Sequence, residues 1–144
     1  MSASANSWVL FALGSAFFAG LTALLSKIGV EDISSNVATF VRTVVILCLL
    51  TLVVWARGEW QAPWLFPKKS LFFLVLSGGT TGLSWLCYYR ALQLGPVSLV
   101  ASIDKLSFVM AIVLAVAILG EHLTGRQWTG AALMSAGVLL ILLK

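Results

Sequence analysis

Five stretches of about twenty apolar residues, joined by loops too short to hold a domain, dominate this 144-residue sequence. About 20 such residues in a helix cross a bilayer core, and a helix satisfies every backbone N–H and C=O within its own segment. The pattern predicts helices at about 7–28, 36–56, 70–92, 97–119 and 127–143. Hydrophobic residues make up 60% of the chain, charged residues 10%, and the mean hydropathy is +1.05. A soluble domain carries about 25% charged residues, so this chain lacks the charge to cover a surface in water. The expected architecture is an all-α membrane protein, a single five-transmembrane-helix bundle over residues 1–144.

The segment Met1 to Ser7 holds no Lys or Arg, so the first span reads as a retained helix and not a cleaved signal peptide. The longest loop, Arg57 to Lys69, carries Trp60, Trp64, Pro63 and Pro67, a composition suited to the headgroup level. Gln93-Leu-Gly-Pro96 reads as a tight break between the third and fourth helices, because proline resists helix continuation.

Several chemistries are disfavoured. The net charge of +4 is scattered between apolar spans and forms no basic stripe, so no nucleic-acid partner is expected. His122 is the sole histidine. No histidine pair, Ser–His–acid set or phosphate loop is present, and the expectation is no enzyme, no metal and no cofactor. Cys48 and Cys87 both fall inside apolar spans and read as packing thiols.

Helices in lipid pack through small residues, since burial against a neighbour gains little over burial in lipid tails. Ala12, Ala16 and Gly20, the run Gly78-Gly-Thr-Thr-Gly82, and Gly130 with Gly137 supply such positions. The second helix has few of them and is expected to face lipid more than the others.

Charges inside the spans are more informative. Lys27, Arg42, Arg90, Asp104 and Lys105 fall toward one membrane face when the helices alternate in direction. Arg42 and Asp104 lie about seven and eight residues into their helices, roughly 10–12 Å deep. Intramembrane charges line bundle interiors or water-filled cavities, so one half of the bundle is expected to hold a polar pocket. A structural ion pair between Arg42 and Asp104 is the competing reading, and Lys27 and Arg90 sit near enough to helix ends to snorkel. Trp85, Tyr88 and Tyr89 precede Arg90 at spacings that bring two of them to one helix face. Either they form an interfacial aromatic belt, the reading favoured for Tyr89, or they wall a pocket, the reading favoured for Trp85. The candidate substrate or ion pathway is Arg42, Asp104, Lys105, Trp85, Tyr88 and Lys27.

The stretch from Tyr88 to Ala101, then Ser102-Ile-Asp-Lys-Leu-Ser107, Leu119-Gly-Glu-His-Leu-Thr124 and Trp128-Thr-Gly130, resembles EamA-type proteins of the drug/metabolite transporter superfamily. Lys27 and Arg42 fit the first half of the same pattern, and the resemblance covers nearly the whole chain. It implies a half-size member. Full-length relatives carry ten helices as two five-helix repeats of inverted orientation. A separate five-helix chain would reach that architecture as an antiparallel homodimer, with the solute site near the midplane between repeats. The resemblance further implies a transporter in the inner (plasma) membrane.

Charge bias bears on this expectation. Arg57, Lys68, Lys69 and Arg126 on one face oppose Lys27, Arg90 and Lys144 on the other. Four against three is a weak positive-inside signal, consistent with dual topology. The first helix lacks the internal acid found in small multidrug carriers of the superfamily. The surplus of Arg42 and Lys105 over Asp104 suits an anionic or zwitterionic small solute, such as an amino acid or metabolite. Asp104 is a candidate carrier of a coupling proton, because burial favours a neutral acid. Three functional classes stay open: a small-solute transporter working by alternating access, a flippase for a lipid-linked anion, and a non-transporting membrane subunit.

Overall fold

The computed structural model describes residues 7–143. The amino-terminal residues 1–6, most of the segment read for a signal peptide, and Lys144 of the charge count lie outside the described residues. The helices are α1 (Ser7–Gly29), α2 (Ser35–Ala56), α3 (Lys68–Leu94), α4 (Val97–Asp104), α5 (Ser107–Leu114) and α6 (Gly125–Leu142). A 3-10 turn, Pro63–Leu65, interrupts the longest loop, and a single π turn, Ala115–Leu119, follows α5. No strand occurs among the described residues. The chain divides after Leu94 into two compact units.

Four stretches are long and apolar enough to cross a membrane: α1, α2, α3 and the span Val97–Leu119 that combines α4, α5 and the π turn. The fifth expected span, α6, falls short of that standard. It has 18 residues and opens with Arg126 and Gln127, which dilute its apolar run. Its start is well defined, since Thr124 and Gln127 form a reciprocal capping box that satisfies otherwise orphaned N–H groups.

In the first unit the buried residues gather at one end. Ala23 and Ser26 of α1, Val30 after it, Ser35, Ala38 and Thr39 of α2, and Tyr89 and Leu92 of α3 are all buried. The carboxyl ends of α1 and α3 therefore meet the amino end of α2. Ser34 caps α2, its hydroxyl accepting from the Val37 N–H at 3.3 Å. Alanine, serine and threonine provide the close packing, while the glycines expected to do so are uncovered. A Cβ added at Gly78, Gly79, Gly82, Gly130 or Gly137 would meet no atom within 4 Å. Nor is α2 set apart as the lipid-facing helix, because three of its residues are buried against two in each of α1 and α3.

In the second unit α4 packs on α6, where Ala131 and Val138 are buried. The sequence predicts one uninterrupted helix over residues 97–119, yet the structure breaks it at Lys105 and Leu106. The backbone tightens there: the Leu106 N–H donates to Ile103 O at 2.9 Å and the Val109 N–H to Leu106 O at 3.0 Å, each three residues back. One turn earlier, the Ser102 hydroxyl donates to Ser98 O at 2.8 Å, a back-bond of a kind that bends helices. The span ends at Gly120, whose φ of +69° is a conformation glycine adopts without strain.

Candidate functional site

The first unit holds an open pocket of about 310 Å³ whose lining includes Thr22 and Ser26 of α1, Ile33 of the turn that follows, Ala38 and Arg42 of α2, and Tyr89 of α3. Arg42 is the charged residue in that lining. Its guanidinium carbon lies 4.1 Å from the centre of the Trp85 ring and 5.7 Å from that of Tyr89. Trp85 and Tyr89 are four residues apart and share one face of α3. Both distances fall within the roughly 6 Å range of cation–π attraction, which is stronger where water is excluded.

Side chains around Arg42 anchor the helices without consuming its donors. The Ser26 and Tyr89 hydroxyls share a buried hydrogen bond of 2.9 Å between α1 and α3. On α2, the Thr39 hydroxyl donates to Ser35 O and the Thr43 hydroxyl to Thr39 O, both at 2.8 Å. These threonines are thus satisfied within their own helix, as an apolar environment demands. A guanidinium stacked on a ring keeps its N–H edge available for hydrogen bonding, and its flat fork matches a carboxylate.

Toward the loop end lies an open cleft of about 980 Å³, lined among others by Glu31, Asp32, Ser35, Cys87, Arg90 and Gln93. Two contacts join the helices beside it. The Lys27 ammonium donates to Leu92 O at 2.6 Å, placing a positive charge at the carboxyl end of α3, where the helix dipole favours it. The Gln93 amide nitrogen reaches the other way, donating to Ile33 O at 2.8 Å and Val30 O at 3.3 Å.

The residues singled out from the sequence fall in both units. Arg42 and Trp85 come together. Tyr89, assigned to a belt, is the buried partner on their face, while Tyr88 is half-buried and does not line the Arg42 cavity. Lys27 engages the end of α3. Asp104 and Lys105 belong to the second unit, where their charged groups lie 3.8 Å apart at the helix break. Ser26 and Thr22 carried no sequence signal beyond being polar in an apolar helix. The cysteines are free thiols, Cys48 exposed on α2 and Cys87 on the cleft wall. Among the described residues no group of His, Cys, Asp and Glu could hold a metal ion.

Comparison with known proteins identifies the family. A transporter from Sinorhizobium sp, named "Uncharacterized transporter in cobO 3'region", is 50% identical over 136 residues, covering 94% of this chain and 96% of the relative. No solved structure matches. The family described as the EamA-like transporter family matches residues 6–143. Membrane-length helices and these two matches lead to one conclusion: the chain belongs to the EamA-like transporter family and is a membrane transporter protein.

Proposed function

We propose that the protein carries a small anionic or zwitterionic metabolite, amino-acid-like in size, across the inner (plasma) membrane. The observation that supports this is the Arg42 guanidinium, stacked 4.1 Å above Trp85 and lining a 310 Å³ cavity. That volume is at the lower end of the range for small-molecule sites, about 300–1,000 Å³. An isolated cation within a bilayer is costly, by about 2.5–3.5 kcal/mol at a helix centre on insertion scales. A bound carboxylate would offset much of that cost, which gives a differential affinity that transport can use.

The carrier works as an antiparallel homodimer of oppositely inserted copies, each supplying five helices, and alternates access between the two faces. A screen of metabolites for thermal stabilisation identifies the solute, because a ligand that binds the folded form alone raises its apparent stability. Uptake of the hit into proteoliposomes should then vanish in Arg42→Leu. Normal uptake in that variant would remove Arg42 from the pathway. Inert solutes together with a lipid-linked anion accumulating in a deletion strain would put the flippase reading in its place.

A further inference from the structure

The pocket around Arg42 carries charge of one sign. We propose that it selects a small monocarboxylate with an apolar body and discriminates against the corresponding α-amino acid. The proposal rests on the reading of this pocket as the solute site and narrows the solute from anion or zwitterion to anion.

Three observations carry it. First, the guanidinium is not committed to an acid. Among the described residues its partners are the rings of Trp85 and Tyr89, which leaves its N–H edge for two parallel hydrogen bonds to a carboxylate.

Second, the pocket offers no negative charge to an ammonium. The chain has five acids. Glu31 and Asp32 line the loop-end cleft, and Glu59 pairs with Arg57 at 3.6 Å. In the second unit Asp104 pairs with Lys105 at 3.8 Å and Glu121 lines a pocket against α6. None of them is in the lining of the Arg42 pocket. The hydroxyls there are neutral, and those of Ser26 and Tyr89 are bonded to each other. Trp85, a ring that could attract an ammonium, already holds the guanidinium.

Third, much of the remaining lining is apolar, with Leu25, Ile33, Ala38 and Val41. Such surfaces favour a hydrocarbon body and give a second charge no compensation.

Ligand geometry then sets the sign of the selectivity. An α-ammonium is one carbon away from its carboxylate. Docking the carboxylate on Arg42 brings the ammonium within roughly 4–6 Å of the guanidinium, the range in which like charges disfavour each other. The open mouth of the pocket does not relieve this, because the ammonium cannot retreat to water without drawing the carboxylate off Arg42. A 2-hydroxy acid has nearly the size of the amino acid without its charge, and should be accepted.

The test is isothermal titration calorimetry at neutral pH on purified full-length protein in nanodiscs. The probes are three matched sets, each an acid, its 2-hydroxy analogue and its α-amino analogue: butanoate, 4-methylpentanoate and 3-phenylpropanoate with their derivatives. In at least one set the acid and the hydroxy acid should bind, with the amino acid about tenfold weaker or more, the scale of one like-charge interaction. Arg42→Leu should abolish acid binding. Arg42→Gln, which keeps a donor and loses the charge, should weaken the acids and bring the ratio of acid to amino acid toward one. An amino acid that binds as tightly as its two acids, and is lost in Arg42→Leu, would overturn the proposal and leave the Arg42 site standing. Acid binding unchanged in Arg42→Leu would remove the site itself. Silence from all three sets would also overturn the proposal, while uptake of a screened solute by Arg42→Leu still tests the site separately.

Discussion

Arg42 of α2 rests 4.1 Å above the Trp85 ring of α3, and this stack, made between helices that meet at their buried end, fixes a positive charge within an apolar span. Evolution of stability alone would replace such a residue, because removing an intramembrane charge relieves its desolvation. Arg42→Leu is therefore expected to leave the melting temperature unchanged or raise it while uptake is lost. Arg42→Lys keeps the charge but not the flat fork and should bind the solute about tenfold more weakly. Trp85→Phe should be mild and Trp85→Leu severe, because the cation–π contribution is largest for Trp and absent for Leu. Melting curves beside uptake rates check this. A large drop in melting temperature for Arg42→Leu would mark Arg42 as structural.

The buried hydrogen bond between Ser26 and Tyr89, 2.9 Å long, makes a different prediction. Removing either hydroxyl strands the other in an apolar seam, at a cost of about 1–3 kcal/mol, while removing both is nearly neutral. Ser26→Ala and Tyr89→Phe should each lower stability, and the double variant should recover most of the loss. Additive losses would show that each hydroxyl has another satisfactory partner.

The helices were the legible part of the sequence, because a bilayer imposes both their length and their composition. The starts of α3 and α6 were less so. Lys68 and Arg126 read as loop charges, yet both helices take a basic residue into their first turn. The break at Lys105 was hidden because no proline or glycine marks it, and its contributors are a serine back-bond and a locally tightened backbone. In the site, depth flagged Arg42, since an intramembrane arginine is costly anywhere. Periodicity left Tyr88 and Tyr89 equivalent, three and four residues from Trp85. The choice between them was made by Ser26 and Arg42 on other helices, information that spacing along one helix does not contain.

Asp104 sits beside Lys105, 3.8 Å away at the helix break and still 40% exposed at its side chain. A carboxylate so placed is a candidate for coupling transport to proton movement without contacting the solute. Asp104→Asn should then abolish accumulation against a gradient yet keep solute-induced thermal stabilisation, whereas Arg42→Leu should lose both. Lys105→Met, which removes the neighbour, should retain binding. Concentrative uptake by Asp104→Asn at the parent rate would exclude the coupling role.

The antiparallel dimer requires that one sequence insert both ways, and the charges outside the spans are nearly balanced: Arg57, Lys68, Lys69 and Arg126 against Lys27, Arg90 and Lys144. Orientation follows the Lys and Arg bias of short loops, so a small change should tip it. Single cysteines placed at either terminus of a Cys48→Ser, Cys87→Ser chain should both be labelled from outside intact cells, in different copies. Lys68→Gln with Lys69→Gln reduces one face from four basic residues to two, which should collapse labelling onto a single terminus and abolish uptake. Co-expression with a chain biased the opposite way should restore uptake, because each fixed copy then meets an inverted partner. Labelling of one terminus only in the parent, with full uptake, would end the dual-topology proposal.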